Sequence, residues 1–357
     1  MKQTVKRISF LLLAVLFALA CGLLLAACDD GEKTPPADRS SVHMYLIGGQ
    51  SNAVGVSEID SAVDEDMTKT FEGFAYYGET DKYCQRDGHS QSAQDAFIQT
   101  PVSPVRAGLG RNTNKIGPEY GMADALAKYY PDAADPNGRR VVIFKSCAGG
   151  VALRNSDGNN SRNYGNWYPP SLRGQLPESE VYAWTGKQYD RFIENFKIVY
   201  QQLIDMGEDV RIMGMAWMQG ESDKDATDEY KEILPVLISD LRSDLSEITG
   251  QDLSDMLFVA GEISDTQGSG AASADEESRA AAVAKNKSFN AMLNGIAGEN
   301  LVENFKVIPS GALPQHLADG TCLHVDHKTN VRVDCDHWAA DEEVALGRMF
   351  GEALYAQ

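Results

Sequence analysis

The sequence predicts an α/β protein, a three-layer α/β/α sandwich around a central, mostly parallel five-stranded sheet. Short apolar runs alternate with longer amphipathic stretches, the pattern of a parallel sheet covered by helices. The candidate strands are residues 42–47, 140–144, 210–217, 256–259 and 305–308, most of them rich in Val, Ile, Leu or Met. Amphipathic helices are expected between and after them at 119–129, 186–206, 228–245, 278–296 and 341–355. The polar segments 76–114 and 155–179 read as irregular loops that decorate a site and leave the core to the other elements.

The chain opens with Lys2, Lys6 and Arg7, followed by an uncharged apolar run over residues 8–27, the form of a secretory signal. The run ends in Leu25-Ala26-Ala27-Cys28, which resembles the bacterial lipobox and implies a lipid on Cys28 and a mature chain beginning there. Ala20-Cys21 is a poorer site because Ala18 holds its leading position. An uncleaved membrane helix is the competing reading, since the run is long enough to span a bilayer. On the lipobox reading, 1–27 is a signal peptide, 28–41 a polar tether containing Pro35 and Pro36, and 42–357 one large domain outside the cytoplasm, periplasmic or on the cell surface.

Lys and Arg number 32 against 52 Asp and Glu, a formal net charge of -20, which excludes nucleic acid as a partner. Outside the leader stand Cys84, Cys147, Cys322 and Cys335. Disulfides are permitted in that compartment, and Cys322 with Cys335 would close a short loop near the chain's end. No Cys-x-x-Cys pair or His-Glu-x-x-His helix suggests a metal, and no cofactor is expected.

In parallel sheets ligands bind beyond the carboxyl ends of the strands, so the loops that follow strands are where chemistry is sought. After the first strand comes Gly48-Gly49-Gln50-Ser51-Asn52, where a serine at a helix start exposes its hydroxyl near unpaired N–H groups; a plain helix cap has the same form. After the second comes Ser146-Cys147-Ala148-Gly149-Gly150, a turn whose glycines let a backbone N–H approach a ligand. Trp217-Met218-Gln219-Gly220-Glu221-Ser222-Asp223 follows the third, with an amide able to donate to a developing oxyanion. Glu221 and Asp223 as a glycosidase pair is disfavoured, because two acids on one short segment do not flank a scissile bond from opposite sides.

Near the C-terminus, Asp334-Cys335-Asp336-His337-Trp338 leads into the last helix. Its histidine can take a serine proton while a carboxylate three residues earlier orients the ring. His324, Asp326 and His327 form a rival cluster, ranked second because only His337 opens into the helix.

In order and spacing these four blocks resemble the SGNH-hydrolase superfamily, and more narrowly the sialate O-acetylesterase and family 6 carbohydrate esterase (acetylxylan esterase) group; Gly117-Pro118-Glu119 before a helix also matches. The resemblance implies an SGNH/flavodoxin-like fold, Ser51 as nucleophile, His337 and Asp334 completing a triad, and oxyanion donors from Ser51, Gly149 and Gln219. Gln50, Asn52, Gly150 and Glu221 would support them. Two departures are Ala53, where Met is usual, and Ala148-Gly149-Gly150-Val151, where Ala-x-Gly-Gly-Thr is expected, which leaves the donor N–H open between Gly149 and Gly150, with Gly149 preferred. The implied activity is removal of O-acetyl groups from carbohydrate. Trp167, Tyr168, Tyr182 and Trp184 are candidates for stacking on sugar rings or for the core. The acidity favours neutral glycans such as xylan over sialic acids or pectin. Rival readings are a non-catalytic, membrane-tethered glycan-binding lipoprotein and an SGNH lipase or thioesterase acting on longer acyl chains.

Overall fold

The computed structural model describes residues 41–78, 103–135, 138, 140–268, 275–315, 321–326, 331–332 and 336–356. The expected strands all form, as β1 (Val42–Gly49), β4 (Val141–Lys145), β5 (Val210–Met218), β6 (Phe258–Gly261) and β7 (Phe305–Ile308). Two more, β2 (Thr70–Gly78) and β3 (Ser103–Arg106), complete a seven-stranded sheet of order β3-β2-β4-β1-β5-β6-β7. Every neighbouring pair is parallel except β2 with β3 at the edge.

The expectation of five strands is therefore corrected to seven. β2 reads Thr-Phe-Glu-Gly-Phe-Ala-Tyr-Tyr-Gly, without the aliphatic run that marks the others. Gly73, at φ +83°, lies where its pairing with β3 shifts register between Phe71 and Ala75, so no clean alternation is left to read. β3 contains Pro104, which removes a ladder donor and is tolerated because the strand lies at the margin of the sheet.

The helices are α1 (Ser51–Val54), α2 (Pro118–Leu126), α3 (Asn159–Tyr164), α4 (Pro170–Arg173), α5 (Lys187–Asp205), α6 (Thr227–Thr249), α7 (Glu276–Gly298) and α8 (Ala340–Tyr355). Tyr189, Phe192, Phe196, Val199 and Leu203 form one buried stripe of α5, and Tyr230, Ile233, Leu234, Leu237, Ile238, Leu241 and Leu245 one of α6. α2 packs on α8, which lies over β5, β6 and β7, while α5, α6 and α7 pack against one another in series. β1 and β4 are buried almost throughout, as a strand covered on both faces must be.

β1 lies between β4 and β5. The chain fills the sheet on one side of β1 before crossing to the other, so a crevice opens past the carboxyl ends of these three strands.

Candidate active site

Gly49, the last residue of β1, has φ +139°, and a Cβ there would sit 2.0 Å from the Met218 carbonyl oxygen. Only glycine allows this approach between the ends of β1 and β5. The Gln50 N–H donates to that same carbonyl at 2.9 Å, and the Trp167 indole donates to the Gly49 carbonyl at 3.0 Å. Held on both sides, the chain turns into α1 with Ser51 as its first residue, 8 % exposed. Its first-turn N–H groups have no acceptor within the helix.

Ser51 opens into a cavity of about 500 Å³ that Gln50, Gly149, Gly150, Glu221 and His337 also line. The sheet thus brings together the loops after β1, β4 and β5 and the turn before α8. A Cβ on Gly149 would lie 3.9 Å from the Ser51 Cβ, so this backbone faces the serine. Gly150 differs: its φ is +67°, and a Cβ there would meet the Asn160 side-chain amide at 2.0 Å. It supplies the turn and faces α3.

Gln219, expected as an oxyanion donor, is fully buried and is not among the residues lining the cavity. Its amide nitrogen is directed to the Asp223 carboxylate at 2.5 Å, the Gln50 side-chain oxygen at 3.1 Å and the Val151 carbonyl at 3.2 Å. Asp223 also accepts the Leu153 N–H at 2.8 Å and the Arg154 N–H at 3.3 Å, which ties the β5 loop to the β4 loop. Burial pushes the Asp223 carboxyl up to about 6, against these hydrogen bonds, which favour the anion. Glu221 accepts from the buried Asn52 amide at 2.7 Å. Burial raises its carboxyl too, opposed by a backbone hydrogen bond and by the bond from Asn52.

His337 is half-buried and stands between exposed Asp336 and the core residue Trp338, whose indole donates to the Leu313 carbonyl at 2.8 Å. Asp334 lies outside the described residues, as do Cys335, Cys84 and the segment holding Cys28. Cys322 is disulfide-bonded, and Cys147 is a buried thiol. His324 of the rival cluster is fully buried and accepts the Glu58 N–H at 2.9 Å, away from the cavity lining. His327 falls outside the described residues.

Of the aromatic residues, Trp167 belongs to the core against Trp217 and Phe192, and Tyr168 is buried. Tyr182 and Trp184 stack on each other at 4.9 Å with the Arg162 guanidinium over the indole.

Sequence reasoning missed Arg111, Asn160, Tyr164 and Gln267 on the cavity wall. The first three lie in the segments read as irregular, where no periodicity marks a position. Gln267 follows β6, so a search of every strand-end loop would have found it. Its loop is clamped by buried Asn286 of α7, whose amide donates to the carbonyls of Ser264, Asp265 and Gln267 at 3.1, 3.1 and 2.8 Å.

A mostly parallel sheet between helices, with a serine leaving its central strand into the switch-point crevice, defines the class: an α/β protein with its site beyond the carboxyl ends of the central strands. Residues 41–356 match the family described as carbohydrate esterase, sialic acid-specific acetylesterase, and the chain belongs to that family. It is a carbohydrate acetylesterase, a carboxylic ester hydrolase. A protein from Arabidopsis thaliana is similar in structure at TM-score 0.53 and 14% identity, over 89% of this chain and 99% of its own. NanS is similar at TM-score 0.53 and 13% identity, over 88% of this chain and 98% of its own. At these identities the likeness concerns the fold. No curated protein matches the chain.

Proposed function

We propose that the protein releases acetate from O-acetylated carbohydrate through a Ser51-His337-Asp334 triad and an acyl-enzyme. The observation that carries this reading is that Ser51, Gly149 and His337, from three distant parts of the chain, line one cavity at the carboxyl edge of the sheet. His337 takes the Ser51 proton as the serine oxygen bonds to the acetyl carbonyl carbon, and returns it to the sugar oxygen as that C–O bond breaks. Water then repeats the sequence and frees acetate. The transient oxyanion is met by the N–H groups of Ser51 and Gly149. Gln219 acts behind them, bracing Gln50 and Asp223. Asp334 is assigned to the second nitrogen of His337.

Ser51→Ala should reduce hydrolysis of an activated acetate ester to background while circular dichroism and thermal unfolding stay at wild-type values. Residual turnover near the wild-type rate in that variant refutes the assignment. The natural glycan is addressed by acetate release from a panel of acetylated polysaccharides. The formal charge of -20 puts neutral glycans ahead of anionic ones, and equal rates on both would remove that preference. Export and lipid anchoring through Cys28 are part of the same proposal. Mass spectrometry of the mature N-terminus tests them, and an unmodified chain retaining residues 1–27 would overturn them.

A further inference from the structure

Beneath the cavity lies a polar cluster that the proposed chemistry does not use. Lys145, Glu119, Ser57 and Glu343 are each 0% or 1% exposed. Lys145 closes β4, just ahead of the turn that carries Gly149. Its ammonium donates to the Glu119 carboxylate at 2.6 Å, the Val54 carbonyl at 2.7 Å and the Leu109 carbonyl at 3.3 Å. Three protons meet three acceptors, one of them the last residue of the helix that Ser51 begins. The other oxygen of Glu119 accepts the Gly117 N–H at 3.1 Å.

Ser57 follows Val54 by three residues and reaches the opposite side of the site. Its hydroxyl donates to the carbonyl of Trp338, the neighbour of His337, at 2.7 Å, and lies 3.3 Å from the Glu343 carboxyl. A hydroxyl carries one proton, so a full set of bonds requires Glu343 to donate to Ser57 as a neutral acid. Burial pushes the Glu343 carboxyl well above its usual range, and the nearby charges of Glu119 and Glu221 push the same way, against the ammonium of Lys145. Burying an ion pair adds little stability over a well-packed apolar pair of equal volume, so stability alone gives no reason for these groups.

We propose that these four are positioning residues that set the separation of Ser51 and His337, Lys145 with Glu119 acting through the Val54 carbonyl and Ser57 with Glu343 through the Trp338 carbonyl. The inference rests on the serine-esterase reading above.

The test uses Ser57→Ala, Lys145→Met, Glu343→Leu and Glu343→Gln in the full chain. The readouts are kcat and KM on an activated acetate ester, and the rate of Ser51 labelling by a fluorophosphonate, which needs an activated serine and no sugar. Ser57→Ala and Glu343→Leu should lose about 10- to 100-fold in kcat and in labelling rate, with KM changed less than about twofold. Lys145→Met should do the same if it folds, and Ser57→Ala, a small truncation, serves if it does not. Glu343→Gln, neutral and still a donor, should stay within about threefold of wild type. An active wild type whose Ser57→Ala and Glu343→Leu forms label at its own rate overturns the inference alone, as does a Glu343→Gln loss equal to that of Glu343→Leu. A wild type that neither labels nor turns over ester overturns the esterase reading and this inference with it.

Discussion

Gly149→Ala separates catalysis from folding at this site. The Cβ it adds would lie 3.9 Å from the Ser51 Cβ, an ordinary contact, and Gly149 is not among the residues with positive φ. The folded state therefore accepts the methyl, and the shift in stability should stay within about 1 kcal/mol. In the proposed mechanism, however, the methyl enters the space where the acyl oxygen meets the Gly149 N–H. Loss of one oxyanion donor costs roughly 10²- to 10³-fold, so kcat/KM on an activated acetate ester should fall about 100-fold, or about 2.7 kcal/mol in the barrier. Gly150→Ala should behave in the opposite way. At φ +67° an alanine is strained by about 1–2 kcal/mol, while the Asn160 amide it would meet belongs to an exposed side chain able to turn aside. Stability falls and kcat/KM stays within a few-fold. Urea midpoints and initial rates on the two variants decide the matter. A Gly149→Ala enzyme with wild-type kcat/KM, or a greater catalytic loss in Gly150→Ala, refutes the placement of the oxyanion site.

Asp223 should make stability depend on pH. Its carboxyl is raised from 3.8 to about 6 in the folded protein, so the native state holds its proton more tightly than the unfolded chain does. The contribution is full below about pH 4 and is lost as pH rises towards 6, on the order of 3 kcal/mol, and Asp223→Asn should flatten that part of the wild-type profile in urea denaturation across pH 4–7. Trp167→Phe removes the donor to the Gly49 carbonyl and leaves that oxygen buried, which should cost about 1–3 kcal/mol in thermal unfolding and lower kcat together with stability. Asn286→Ala removes the clamp on three carbonyls of the Gln267 loop; KM for acetylated glycan should rise more than kcat falls, and unchanged steady-state kinetics would show that this loop does not meet the sugar.

The aliphatic strands and the long helices were legible because burial on both faces of a strand, or on one stripe of a helix, writes itself into residue type. β2 and β3 were not, because aromatic residues, Gly73 and Pro104 carry no such mark and their pairing belongs to the sheet edge. At the site, Ser51 and the Gly149-Gly150 turn were visible as strand-end motifs. The division of labour between the two glycines was not, since it depends on the φ of Gly150 and on where Asn160 comes to rest. For Gln219 the sequence shows only an amide after a strand, able to donate to an oxyanion. Its actual partners, Val151 and Gln50, are set by tertiary packing, and only Asp223 stands near it in sequence. Lys145 and Glu343 gave no signal, and Glu119 stood out only within the Gly117-Pro118-Glu119 match, with nothing to show that it is buried: a lysine at a strand end and acids at helix starts normally point to water.

The polar residues of the motifs divide between the cavity wall and its support for a reason that lies in the sheet. Backbone ladders hold β1, β4 and β5 in register only as far as their ends, and the loops beyond lose those bonds just where atoms must be placed most accurately. Side chains continue the ladder. Gln50, from the β1 loop, takes hydrogen bonds from the Gln219 amide and the Ser222 N–H of the β5 loop at 3.1 and 3.3 Å. Asp223 takes two backbone N–H groups from the β4 loop, and Asn52 reaches back to Glu221. Each of the three loops is thus bonded to another through buried or half-buried groups, and leaving a buried one of them unpaired costs about as much as the bond itself contributes in a dry interior. Substitutions in this support should therefore lower stability and kcat together, whereas changes at Ser51 or Gly149 lower kcat alone. That contrast distinguishes the frame from the reacting groups without a bound substrate.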